Sequence, residues 1–134
     1  MAGYSSRPLR DKLGIKPDTR VLFRNEPANY EELVGPLPAD LRVARQLSRT
    51  FDFIQGFFDR LSILSKDFPR MKKCLAKDGM IWISWPKKSS GVHTDITENE
   101  VRETGLLNGL VDVKVCAVEE TWSGLKFVYR KKDR

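Results

Sequence analysis

Two short, almost wholly apolar runs constrain this chain more than any other feature. Phe51-Asp52-Phe53-Ile54-Gln55-Gly56-Phe57-Phe58 and Met80-Ile81-Trp82-Ile83-Ser84-Trp85 lack the strict polar alternation of a half-exposed strand. Both therefore predict strands covered on two faces. Between them Leu61, Ile63, Leu64, Phe68, Met71, Leu75 and Ala76 recur at near-helical spacing, up to a stop at Asp78-Gly79. Strand, helix and strand in this order predict a crossover unit with parallel strands. Pro69 predicts that the helical stretch is split in two, one short helix closing there and the next opening at its first turn.

The flanks extend the pattern. Pro8 to Gly14 reads as a short helix, Arg20 to Arg24 as a strand, and Asn29 to Val34 as a weak helix stopped by Gly35-Pro36-Leu37-Pro38. Leu41 to Arg45 alternates and predicts a strand near a sheet edge. Thr97-Glu98-Asn99-Glu100 is a capping box opening a helix that runs to Gly105 or Gly109. Strands Val111–Val118 and Leu125–Arg130 follow, joined by a segment too short for a crossover, so they predict an antiparallel hairpin. The expected fold is a three-layer, Rossmann-like, mostly parallel α/β sheet ending in that hairpin, a single domain over residues 1–134.

The formal net charge of +6 is concentrated at the ends: residues 1–24 and 130–134 are basic, and the middle sums to about zero. Basic ends can bind nucleic acid through counterion release or simply be solvated. No apolar run approaches the roughly 20 residues of a membrane span, and the start lacks a secretory signal's apolar core, so no membrane partner and a cytoplasmic location are expected. Cys74 and Cys116 have no CxxC partner and the chain holds one histidine, which excludes a zinc site of Cys and His ligands. Both cysteines read as small core hydrophobes.

Several phrases resemble known folds. Leu13-Gly14-Ile15-Lys16-Pro17-Asp18-Thr19-Arg20-Val21-Leu22 looks like the entry to the first strand of a methyltransferase-type Rossmann fold. Phe68 through Ile83 looks like its helix and fifth strand, and the hairpin like its closing pair. The cofactor handles of that fold are missing. The resemblance implies a glycine-rich turn after the first strand, where backbone approaches the cofactor. Here Asn25-Glu26-Pro27-Ala28-Asn29-Tyr30 has no glycine, and Pro27 removes a backbone donor. The acid implied at the end of the second strand is replaced by Arg42, Arg45 and Arg49. No cofactor is therefore expected, and S-adenosylmethionine-dependent methyl transfer is not.

A second resemblance is more specific. Trp85-Pro86-Lys87-Lys88-Ser89-Ser90-Gly91 and Thr94-Asp95-Ile96-Thr97-Glu98 resemble the signature of a small bacterial family known as a domain of unknown function. Gly109-Leu110-Val111-Asp112-Val113-Lys114-Val115-Cys116-Ala117-Val118, Trp122 to Val128, Gly3-Tyr4-Ser5 and Lys12 to Pro17 fit it too. This implies membership and fold, and no reaction.

Ligands of open α/β sheets gather at the carboxyl ends of the strands. Four loops should meet there: Asn25–Tyr30, Phe58–Arg60, Trp85–Asp95 and Glu119–Gly124. The candidate ligand-binding residues are Trp85, Lys87, Lys88, Ser89, Ser90, His93, Asp95, Glu119, Glu120 and Trp122. The Lys87–Gly91 run combines cations, hydroxyls and flexible backbone, as an anion cradle or a solvated loop would. His93 and Asp95 form an oriented base or a chance pair. Glu119 and Glu120 could pair with Lys87 or Lys88, and Trp122 anchors the turn or stacks on a ligand. No catalytic residue is assigned: there is no G-x-S-x-G elbow and no base beside Cys116. The expected role is a non-catalytic module that binds a ligand, such as a small anion, or a protein partner. The alternatives are a nucleic-acid-associated protein using its basic ends, or an enzyme of unnamed reaction at this edge.

Overall fold

The computed structural model describes residues 8–48 and 50–134. Arg7, Arg49 and the Gly3-Tyr4-Ser5 phrase lie outside the described residues. The elements in chain order are α1 (Leu9–Leu13), β1 (Arg20–Arg24), α2 (Tyr30–Val34), β2 (Arg42–Ala44), β3 (Phe51–Phe57), α3 (Leu61–Lys73), β4 (Leu75–Pro86), α4 (Glu98–Leu107), β5 (Leu110–Ala117) and β6 (Trp122–Tyr129). They form one six-stranded sheet in the order β2-β1-β3-β4-β6-β5. The pairs β1–β2, β1–β3 and β3–β4 are parallel, whereas β6 runs antiparallel to both β4 and β5. The fold is therefore a Rossmann-like, mostly parallel α/β sheet closed by an antiparallel hairpin, as the sequence pattern predicts.

Strand alternation divides the core between the two sheet faces. Leu22, Ile54, Ile81, Ile83, Leu125 and Phe127 pack under α3 and α4. Val21, Phe23, Phe53, Phe57 and Trp82 pack under α1 and α2. Trp82 also donates its indole N–H to the Leu13 carbonyl at 2.8 Å, which ties α1 to the sheet. On the other face α4 lies so close to β6 that a Cβ on Gly105 would stand 2.0 Å from a Phe127 ring carbon. Only glycine fits there.

Two expectations for the crossover are corrected. Pro69 does not split the helix: α3 runs unbroken from Leu61 to Lys73 with Pro69 inside it. Pro69 is exposed, so the Ser65 carbonyl it leaves unbonded faces water, while buried Leu64, Phe68 and Met71 hold both halves to the core. The helix also ends before Asp78-Gly79. Leu75 pairs with Phe51, and the Phe51 N–H donates to the Cys74 carbonyl at 2.6 Å, so β3 recruits Leu75 and Ala76 into a strand. Pairing to a neighbour overrides local helical spacing.

Two smaller differences concern the α4 cap and the cysteines. The α4 cap is in place at Thr97, but its hydroxyl donates to the Glu100 side chain at 3.0 Å and makes no bond to a backbone N–H. Cys74 and Cys116 are free and only half-buried, not core residues. They pack against the two different core clusters. No helix among the described residues is long and apolar enough to cross a membrane.

Candidate functional site

The order of the strands reverses between β1 and β3, and this is where a ligand crevice opens in doubly wound sheets. Here side chains fill it. Asn25, with φ of +57°, turns the chain sharply after β1, and its amide donates to the Phe57 carbonyl at the end of β3 at 3.2 Å. Behind that link, Phe57 meets Tyr30 edge-on at 5.4 Å and Trp122 edge-on at 5.1 Å. Tyr30 donates its hydroxyl to the Gln55 carbonyl oxygen, and the Gln55 amide donates to the Ser84 hydroxyl at 3.3 Å. Burial, then the neighbouring Glu26 carboxylate, push the Tyr30 phenol far above its ordinary pKa, so it remains a donor. The crevice is thus closed by aromatic packing above a bonded polar chain.

An open cavity of about 330 Å³ remains beside this plug, between the loop after β1 and the end of β2. Phe23, Pro27, Tyr30, Leu37 and Val43 supply its apolar wall, and Glu26 and Arg45 its charges. The Arg45 Nε lies 2.7 Å from Glu26 Oε2, and its guanidinium sits 5.8 Å from the Phe23 ring centre. The ion pair is close, yet no hydrogen bond reaches that buried carboxylate oxygen, because the approach is poorly directed. Nearby, Arg24 donates to Asp67 of α3 at 2.7 Å and pins the end of β1.

Three of the four loops bond to one another, and the fourth, Asn25–Tyr30, bonds Phe57 at the end of β3. Thr94 donates to the Asp59 carbonyl at 2.6 Å, and the Lys87 N–H donates to the Thr121 carbonyl at 2.8 Å. The candidate residues, however, do not converge on one cleft. Trp85 is buried in the cluster under α3 and α4, whereas Trp122 packs on the opposite face. Lys88–Ser90 is a 3-10 turn that uses its own donors: the Ser90 N–H and hydroxyl both bond the Lys87 carbonyl, and the Val92 N–H bonds the Ser90 hydroxyl. What it leaves for an anion is Ser89 and two ammonium groups. His93 and Asp95 line a separate depression of about 450 Å³ with Asp59, Arg60 and Ser62. There Asp95 accepts the Leu61 N–H at 2.7 Å and so caps α3 from 34 residues away. Glu119 accepts the Thr121 N–H at 2.7 Å within the hairpin turn, and Glu120 is exposed. Neither glutamate pairs with Lys87 or Lys88 among the described residues.

Sequence reasoning missed Gln55, Ser84, Asp67, Phe23 and Arg45 as a group. A signal existed for the first two, each a lone polar side chain inside an apolar strand. Such a residue needs a buried partner.

Comparison with known proteins places the fold. Residues 64–131 match the family model described as "Protein of unknown function (DUF3052)". The chain belongs to this family. A search of curated proteins gives no match. Solved structures similar to the DUF3052 chain include methyltransferases. A SAM-dependent methyltransferase from Aquifex aeolicus shares 16% identity at a TM-score of 0.63, covering 87% of this chain and 85% of that one. The ribosomal protein L11 methylase of Lactobacillus delbrueckii subsp. bulgaricus shares 12% at 0.61, covering 91% and 75%. Magnesium protoporphyrin IX methyltransferase from Synechocystis PCC 6803 with bound SAH shares 9% at 0.58, covering 91% and 78%. At these identities the likeness is one of fold alone.

Proposed function

We propose that this DUF3052 protein is a non-catalytic binding module that keeps a methyltransferase-like sheet and has given up its cofactor crevice to packing. One observation carries the proposal: Asn25, Tyr30, Phe57 and Trp122 fill the space at the β1–β3 switch point. S-adenosylmethionine does not fit the residues present. The turn after β1 has Pro27 in place of glycine backbone, and Arg45 at the end of β2 is already held to Glu26. The cavity beside Phe23 is the ligand site this reading favours, since its volume falls in the range of small-molecule pockets and its wall is aromatic and aliphatic. The Glu26 carboxylate beside an aromatic and aliphatic wall suits a compact, flat molecule that carries positive charge.

The test is a thermal-shift and NMR comparison. Saturating S-adenosylmethionine is expected to leave the melting temperature unchanged, whereas a ligand held at about 100 times its Kd adds ~2.7 kcal/mol. Benzamidine, a flat cation, is the probe: its amide shifts should centre on Glu26–Tyr30 and Val43–Arg45 and vanish in Glu26→Gln. Stabilisation by S-adenosylmethionine that is abolished by changes in Asn25–Tyr30 would overturn the proposal.

A further inference from the structure

The opposite edge of the sheet, where β4 and β5 begin and β6 ends, carries a different chemistry. Residues 70–78 and 130–134 hold eight basic and two acidic side chains, a surplus equal to the +6 of the whole chain. The fold brings these two segments together. The Lys77 ammonium sits 4.4 Å and the Lys72 ammonium 5.7 Å from the Tyr129 ring centre. The Lys72 nitrogen and an Arg130 nitrogen lie 3.0 and 3.5 Å from the point where a Cβ on Gly109 would stand. The tail is folded onto this edge: Arg134 donates to the Tyr129 carbonyl at 2.9 Å, and Lys131–Asp133 forms a 3-10 turn.

Structural needs account for part of this charge. Cations in the last turn of α3 complement its dipole, and an aromatic face attracts an ammonium. Arg70 is paired with Asp67, and Arg130 with Asp133. Lys72, Lys73, Lys77, Lys131 and Lys132 form no ion pair among the described residues. Self-repulsion of five such charges costs stability unless a partner neutralises them.

We propose that this edge docks the phosphodiester backbone of a nucleic acid, without reading its sequence. The cations come from three elements and are held on a rigid ring and a glycine turn, which suits a polyanion with regularly repeated charge. Tyr129 is 8% exposed and covered by lysines, so it offers no base-stacking platform. A lipid surface fits less well. The nearby exposed leucines, Leu106 and Leu107, share their depression with Glu103, whose carboxylate would have to enter anionic headgroups. Three described cations of the N-terminal half are engaged elsewhere: Arg10 donates to the Pro36 carbonyl at 2.7 Å, and Arg42 and Arg45 pair with Asp18 and Glu26.

The experiment is a titration of the full chain with a random 30-base-pair duplex at several salt concentrations. Five phosphate contacts predict a log–log salt slope of about −4.5, or roughly a 500-fold loss of affinity between 50 and 200 mM salt. Lys72→Gln/Lys131→Gln/Lys132→Gln should flatten the slope by about 2.7 while its circular dichroism and melting stay native. Glu26→Gln, which should abolish the benzamidine response, should leave the duplex salt slope unmoved, and this separates the present proposal from the reading of the crevice. Absence of duplex binding, a slope unmoved in the triple variant, or binding only to phosphatidylserine vesicles with loss in Leu107→Ser would each overturn it.

Discussion

The two edges of one sheet treat polar groups in opposite ways. At the carboxyl edge several are consumed locally: Asn25 bonds Phe57, Tyr30 bonds Gln55, Asp95 caps α3, and Glu119 closes its own turn, while Lys87, half-buried, and Lys88, exposed, are left for a ligand. At the amino edge, five lysines form no ion pair among the described residues. The contrast follows from where each edge gets its stability. At the carboxyl edge aromatic packing occupies the switch point, and a buried polar group beneath it, such as Gln55, needs a bonded partner. The amino edge is solvated, so unpaired charge is tolerated and free to act on something outside the chain.

This contrast predicts a gradient of mutational cost. Phe57 is 3% exposed and touches both Tyr30 and Trp122, so Phe57→Ala should cost about 3–5 kcal/mol in chemical denaturation. A cost under 1 kcal/mol would mean the plug is loose and the crevice can reopen. Tyr30→Phe strands the buried Gln55 oxygen and should cost about 1–3 kcal/mol, read from the denaturation midpoint. At the amino edge, Lys131→Gln/Lys132→Gln should stay within about 0.5 kcal/mol of the parent, because both side chains are exposed.

Another small effect is pH-dependent. Burial, then repulsion from Lys114 and Lys16, hold the Lys126 ammonium below its ordinary value of 10.5. Because the folded state binds this proton more weakly, stability is lower where Lys126 is charged and rises with pH through the lowered value up to 10.5. Lys126→Met should therefore stabilise the protein at pH 7 by ~1 kcal/mol or less, solvent screening most of the penalty. The charge-related part of that gain should fade above pH 10.5 in a melting series.

Legibility differed between elements for physical reasons. Strands β1 and β3, the edge position of β2 and the hairpin were all readable, since apolar alternation and loop length are local properties of the chain. The Pro69 boundary was misread, because buried Phe68 and Met71 outweigh a missing hydrogen bond that water can satisfy. The start of β4 was misread because β3, distant in sequence, decides it. Among candidate residues, the loops they sit on were correctly expected to meet. The opposite orientation of Trp85 and Trp122 depends on which strand residue faces which sheet side, and a one-residue change in strand phase reverses it.

Sequence alone determined the layer architecture, the absence of a glycine turn after β1 and the size of the positive charge, because each is a property of neighbouring residues or of composition. Tertiary structure alone decided that the switch-point crevice is filled, that a separate cavity lies beside Phe23, and that the lysines of α3 and of the C-terminal tail share one edge. Those outcomes rest on contacts between residues 25 and 57, 26 and 45, and 72 and 129, segments that become neighbours only when parallel strands assemble.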